Sequence, residues 1–371
     1  MSALLTPRKQ MHDIALRPEA QVLALCARTE RTPEADAALR TLLARDLDWG
    51  WFRRQLFQRQ GIEPLVDRAW KAHVRYVPDD LLADVEQRAR TIAFRNLQQL
   101  QELLRLIKIL DGQGIPVIPF KGPMLAAQAY GNVAYRRFGD LDVIVPREHV
   151  EHVRTLLMEE QYNPAKQLSG TEEKEYIDTQ LGYEFVHDGK RTVVEVHWAL
   201  FYEIYAFDLA PEEIWKRARK IQLAGQSVRT LSPEDLLIYL CVHGTKHRWE
   251  RLTWIADVAE LVQGSDPINW NAVTERATAL GSLRMVLLGL HLGHTLLDVA
   301  LPDRIHALLQ EDDKACKLAR RVVDGWLFMN PESNASSELE VFWFHVQERE
   351  RWRDRWPYIR HHLSLWAPFS N

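Results

Sequence analysis

One segment restricts this chain more than any other: IPVIPFKGPMLAAQAYGNVAYRRFGDLDVIVP, residues 115–146. It reads as a strand, a Lys121-Gly122 turn, a short helix ended by Gly131, a basic loop, and a second strand carrying Asp140 and Asp142. Side chains alternate across a strand, so carboxylates two residues apart share a face. The rest of that strand (Leu141, Val143, Ile144, Val145) is apolar and belongs in a core. Adjacent carboxylates repel each other and resist desolvation unless positive charge sits between them. A hard divalent cation meets that need. The spacing therefore predicts a metal and nucleotide site.

Composition matters here for what it excludes. A chain of 371 residues has room for two or three domains, and 46% hydrophobic with 26% charged residues is ordinary for a globular protein. The formal net charge of −4 gives no overall basic balance for bulk nucleic-acid binding, although it leaves room for a local basic patch. Cys26, Cys241 and Cys316 are far apart and odd in number. They form no disulfide or zinc pattern and suit a reduced cytoplasm. No apolar run reaches the ~18 residues of a membrane span. The opening MSALLTPRKQMHDIALRP lacks the apolar core and cleavage site of a signal peptide.

Around the central segment the hydrophobic period changes twice. Residues 1–17 read as a weakly ordered lead-in, and helices follow to residue 113. Thr32-Pro33-Glu34 and Pro78-Asp79-Asp80 are helix starts, the latter opening a long helix. In it Leu97, Leu100, Leu103, Leu104, Ile107 and Leu110 form the apolar stripe, while Arg95, Asn96 and Gln98 take the solvated face. Strands and helices alternate from 114 to 231. Residues 163–180 are expected as a polar loop with a helical turn. The runs at 183–187 and 192–198 form a hairpin about Asp188-Gly189, and a second hairpin turns at Gly225. Ser232-Pro233-Glu234 then opens a helical region running to 371. The fold class is α+β, with boundaries expected at 113/114 and 231/232.

The chemistry gathers on Asp140, Asp142 and Glu195, two carboxylates from one strand and one from a neighbouring strand. Three such ligands can hold two Mg2+ ions ~3.5–4 Å apart, the arrangement of two-metal phosphoryl chemistry. Lys121, the Gly122 backbone and Arg136 are candidates for holding the phosphates of an NTP. His197 shares the Glu195 face and either orients Glu195, contacts phosphate, transfers a proton or is simply structural. His243 and His247 share a helix face. They either contact base, ribose or acceptor, or are hydrogen-bonded imidazoles at a helix contact. Zinc is disfavoured because the Glu of H-E-x-x-H is missing. FWFHVQERERWRDRWPYIRHHLSLW (342–366) mixes Trp and Arg, which suits either single-stranded nucleic acid or an amphipathic helix pair with a solvated charged face. The second is the expectation.

These residues carry a resemblance. FKGPMLAAQAYG, RRFGDLDVIVP, VEVHWAL and LSPEDLLIYLCVHGTKHRWERLTWIADVAEL, with DWGWFRRQLFQRQGIEPLVDRAW upstream, resemble an uncharacterised bacterial nucleotidyltransferase family with a Lys-Gly signature. It lies within the DNA polymerase beta-like nucleotidyltransferase superfamily, and the resemblance covers about residues 18–265. It implies a nucleotidyltransferase-fold mixed sheet with flanking helices at 114–231, between helical domains at 1–113 and 232–371. It also implies metal ligation by Asp140, Asp142 and Glu195, with Mg2+ and an NTP as cofactor and substrate. Lys121-Gly122 stands where the superfamily carries Gly-Ser, so the serine contact to a terminal phosphate is replaced by a lysine of different geometry. The implied activity is NMP transfer to a hydroxyl acceptor with release of pyrophosphate, in the cytoplasm and without a membrane partner. The acceptor is open: a protein side chain, an RNA end, a sugar or another small molecule. The alternative is a catalytically silent nucleotide-binding scaffold with a regulatory or antitoxin-like role.

Overall fold

The computed structural model describes residues 16–200, 211–329 and 337–366. The expected lead-in at 1–17 therefore lies almost wholly outside the described residues. The chain opens with α1 (Pro18–Cys26), α2 (Pro33–Leu43), α3 (Trp49–Gln55), α4 (Glu63–Trp70) and the long α5 (Asp79–Gly112). Strands and helices then mix: β1 (Ile118–Pro119), α6 (Gly122–Tyr130), β2 (Asp140–Ile144), α7 (Val150–Glu159), β3 (Tyr162–Pro164), α8 (Thr171–Thr179), β4 (Gly182–His187), β5 (Val193–His197), α9 (Pro211–Arg217), β6 (Arg219–Leu223) and β7 (Gln226–Thr230). Helices return as α10 (Pro233–Lys246), α11 (Leu252–Gln263), α12 (Trp270–Leu280), α13 (Leu283–Leu297), α14 (Asp303–Glu311), α15 (Asp313–Val322), α16 (Glu338–Gln347) and α17 (Trp352–Trp366). No helix among the described residues is long and apolar enough to cross a membrane.

The chain forms two compact units. One is built from the residues up to Ile92 and those from Leu237 onward, the other from Ala93–Leu236. In the first, local caps set the helix starts: Thr32 Oγ1 accepts the Ala35 N–H at 3.2 Å, and Asp48 Oδ1 accepts that of Trp51 at 2.8 Å. Gln60, fully buried, ties three segments together. Its side chain donates to Gln55 Oε1 (3.0 Å) and to the Leu327 carbonyl (2.8 Å), and accepts from the Leu252 N–H (2.7 Å). At the C-terminal end Phe342 stacks on the buried Tyr358, with ring centroids 5.9 Å apart. The outward side is not the purely charged face expected there. Trp343, Trp352 and Trp356 are each more than half exposed, alongside an exposed Arg353.

The second unit holds a five-stranded mixed sheet in the order β1-β2-β5-β4-β3, and a separate β6–β7 hairpin. β2 and β5 run parallel; the other pairs are antiparallel. One face of the sheet is apolar. Leu141 and Val143 of β2, Val194 and Val196 of β5, and Tyr183 and Phe185 of β4 pack with Leu100, Leu103, Leu104 and Ile107 of α5. Each aliphatic side chain buried this way contributes about 1.5–3 kcal/mol. With those residues committed to the core, alternation turns Asp140, Asp142, Glu195 and His197 to the opposite face.

Three local expectations change. Residues 162–164 form an edge strand, although 163 and 164 are expected in a loop, and they pair Tyr162 with His187 and Pro164 with Phe185. Three residues ending in proline carry no readable period, and only the edge position tolerates that proline. Residues 171–179 are a full helix rather than a single turn. Within α5, Leu97 is 52% exposed, whereas Asn96 is 1% exposed and fastens the basic loop through two hydrogen bonds.

Candidate active site

The site starts from the pairing of β1 with β2. Ile118 lies opposite Ile144 and Pro119 opposite Val143, and the Phe120 N–H donates to the Asp142 carbonyl at 3.3 Å. The next residue, Lys121, thereby arrives beside Asp142, and its Nζ donates to Asp142 Oδ1 at 2.9 Å. α6 begins immediately afterwards at Gly122, whose φ of +51° lies in the left-handed region. A Cβ on Gly122 would stand 2.9 Å from the Asp140 carbonyl oxygen. Both facts demand glycine: they bring a helix N-terminus, with its outward N–H groups, against the acidic strand.

The parallel pairing of β2 with β5 supplies the third carboxylate. In register, Asp142 faces Glu195 and Ile144 faces His197. His197 Nε2 lies 3.3 Å from Asp142 Oδ1 and 3.3 Å from Glu195 Oε2. Ligating atoms of Asp142, Glu195 and His197 all lie within 4.8 Å of one another. The His197 ring is held from two sides. Phe120 meets it edge-on, with centroids 5.4 Å apart. On the neighbouring strand Gly182 pairs with His197, and a Cβ there would come 2.9 Å from His197 Nδ1.

Charge is unevenly balanced. Asp142 is 1% exposed, and although Oδ1 has two partners, Oδ2 has none among the described residues. Burial alone would raise its pKa. The Lys121 ammonium and the His197 hydrogen bond outweigh burial and hold the carboxyl well below the usual range. Asp140 moves the other way: burial first, then the neighbouring Asp142 charge, push it up to about 6, against the pull of Lys121 and Arg136. Burial opposes protonation of His197, but its hydrogen bonds to Asp142 and Glu195 win and raise its pKa. A buried carboxylate with one oxygen lacking a partner, on a residue whose neighbours supply oxygen and nitrogen donors, fits a divalent cation. Asp142, Glu195 and His197 are the residues whose donor atoms converge for it.

The remaining candidates divide by unit. The basic loop is pinned by Asn96, whose Nδ2 donates to the carbonyls of Val133 (2.6 Å) and Arg136 (2.7 Å). Arg136 is thus held within electrostatic reach of Asp140. His243, on α10, and His247, just past the end of that helix, belong to the other unit. Their rings lie 4.7 Å apart, with Trp254 at 5.7 Å and 5.2 Å and Tyr239 stacked on His243 at 5.8 Å. Sequence reasoning missed Asn96, Phe120 and Gly182. A buried helical asparagine has no local signature. The signal for Gly182 was its place at the head of a strand, where glycine marks a close approach.

The profile of a family described as uncharacterised nucleotidyltransferase matches residues 45–298, well over half of the chain. No curated protein matches in sequence. Among solved structures, ANT(2")-Ia in complex with adenylyl-2"-tobramycin is 16% identical, with 49% of this chain and 97% of that one covered and a TM-score of 0.33. The solution structure of the antibiotic-resistance factor ANT(2'')-Ia gives 15% identity, 58% and 97% coverage and a TM-score of 0.31. An antigenic nucleotidyltransferase-like protein from Paracoccidioides brasiliensis gives 16% identity, 60% and 91% coverage and a TM-score of 0.35. Likenesses at this level carry no activity or acceptor over to this chain.

Proposed function

This chain belongs to the uncharacterised nucleotidyltransferase family, and from that premise we propose that it moves a nucleoside monophosphate from an NTP to a hydroxyl acceptor, releasing pyrophosphate. The observation that carries this reading is the pairing of Asp142 with Glu195 across adjacent parallel strands, with Asp142 Oδ2 buried and unpartnered. Asp140, Asp142 and Glu195 are the proposed metal-binding carboxylates, for Mg2+ as the sequence suggests. When bound, the divalent ions supply charge stabilisation to the triphosphate and lower the pKa of the acceptor hydroxyl.

The protein's own groups do the rest. Lys121 and the first N–H groups of α6 bind phosphate oxygens, where an anion gains from both the ammonium and the helix terminus. Arg136 balances charge developing beyond Asp140. Glu195, whose side chain is 32% exposed against 0% for Asp142, is the carboxylate that an acceptor can reach. It holds the acceptor proton as that hydroxyl attacks the α-phosphate.

One observation favours a second reading, the silent nucleotide-binding scaffold: Lys121 already neutralises Asp142 Oδ1. The two readings separate in one experiment. The purified chain is incubated with NTP mixtures labelled in parallel at the α- or the γ-phosphate, with divalent cation and a cell extract as acceptor source, and its melting temperature with NTP is recorded. Transfer of α-label into a new species supports nucleotidyl transfer. Transfer of γ-label instead makes the chain a kinase and ends this proposal. NTP-dependent thermal stabilisation without any label transfer supports the scaffold.

A further inference from the structure

The cation cluster contains an imidazole beside its carboxylates. His197 Nε2 is equidistant, at 3.3 Å, from Asp142 Oδ1 and Glu195 Oε2. Its ring has little freedom to leave, with Phe120 on one side and the bare backbone of Gly182 on the other. Register enforces the same arrangement: β5 turns Glu195 and His197 to one face, opposite Asp142 and Ile144 of β2. Because residue 144 is apolar, it offers no competing ligand at the His197 level. Asp142 Oδ1 accepts from Lys121 Nζ at 2.9 Å, and buried Oδ2 has no partner among the described residues.

Donor chemistry selects among dications. Mg2+ takes carboxylate, carbonyl and water oxygens, whereas imidazole favours first-row transition metals. Mn2+ accepts both kinds of donor and is the mildest member of that series. We propose that His197 is a direct ligand, through Nε2, in a mixed Asp142–Glu195–His197 centre that prefers Mn2+ to Mg2+. The inference rests on the reading of this cluster as the nucleotidyl-transfer site, and it names the cation class that the site selects. Gly182 and Phe120 act as positioning residues for the imidazole.

The test uses the purified full-length chain loaded with Mn2+, without nucleotide, and pulsed electron paramagnetic resonance to detect nitrogen coupled to the metal. The expected result is a 14N coupling of imidazole type that disappears in His197→Gln. Mn2+ affinity should fall at least about tenfold in that variant, with Mg2+ affinity changing by less than about threefold. Asp142→Asn should abolish Mn2+ binding at this site, and circular dichroism should show both variants folded. Mn2+ bound in an Asp142-dependent way with no nitrogen coupling overturns the inference. So does coupling that survives His197→Gln or binding that survives Asp142→Asn. Magnesium-supported α-label transfer alongside a missing nitrogen signal overturns this inference alone and leaves nucleotidyl transfer standing.

Discussion

Two buried carboxylates in the same unit have been treated in opposite ways. Glu102, on α5 behind the sheet, is fully provided for. Its Oε1 accepts from Arg105 (2.6 Å) and from Tyr162 Oη (2.8 Å), and its Oε2 from Lys190 Nζ (3.0 Å). Asp142, on the other face, keeps one oxygen with no partner among the described residues and sits beside Asp140, a second carboxylate whose pKa is raised by burial and then by the Asp142 charge. Glu102 joins a helix, the edge strand β3 and the β4–β5 turn, so its network holds the unit together. At Asp142, Lys121 and His197 offset the burial of the charge through one oxygen, while Oδ2 has no partner among the described residues. A buried charge left incomplete marks the place where something else is meant to bind; a buried charge completed by protein marks structure.

The largest effects fall where these two roles separate. Asp142→Asn keeps the shape and removes the charge, and should lower α-label transfer by about 10³-fold or more. Its stability should fall as well, because Lys121 and His197 lose the charge they are paired with, so the discriminating readout is label transfer per folded molecule. Glu102→Ala should leave the chemistry alone. Stranding Arg105, Lys190 and Tyr162 should cost about 3–5 kcal/mol of stability, with label transfer per folded molecule nearly unchanged. Equal loss of activity and stability in both variants would erase the distinction.

Acid tests the structural role of Glu102. Burial raises the Glu102 pKa, but hydrogen bonds from Arg105, Lys190 and Tyr162 overcome it and hold the group at about 2, against an ordinary 4.5. A depressed carboxylate pKa contributes stability above its unfolded value and loses it as pH falls toward the folded one. Between pH 4.5 and 2 the parent should therefore lose roughly 3 kcal/mol through this one group. Glu102→Gln should flatten the pH dependence of unfolding in that window; an unchanged slope would remove Glu102 from the stability account. A smaller effect is expected at Gly122. Alanine there meets both the left-handed φ and the Asp140 carbonyl, and should cost about 1–3 kcal/mol.

Much of this arrangement is legible in the residues themselves. Asp140 and Asp142 alternate with Leu141 and Val143, and that period by itself assigns them to the face opposite the core. Asp188-Gly189 likewise announces the β4–β5 hairpin. What sequence does not show is register between distant segments. β2 and β5 pair in parallel across some fifty residues, and only packing of Leu141 and Val143 with Val194 and Val196 on the core face brings Glu195 opposite Asp142. The Lys121 contact depends on β1 pairing antiparallel to β2, which a two-residue strand does not advertise. Asn96 was hidden by its polarity. Among the charged and polar residues of α5 it reads as solvated, yet it serves two backbone carbonyls that would otherwise lose their partners. β3 exists only because β4 offers it an edge.

The central claim is that the incomplete carboxylate, and not the complete one, receives the metal and nucleotide. The direct measurement is thermal stabilisation by a non-hydrolysable NTP analogue with divalent cation, compared across the parent chain, Asp142→Asn and Glu102→Gln. The predicted result is a rise in melting temperature for the parent and for Glu102→Gln, the latter from a lower starting point, and none for Asp142→Asn. A rise of parental size in Asp142→Asn would contradict it.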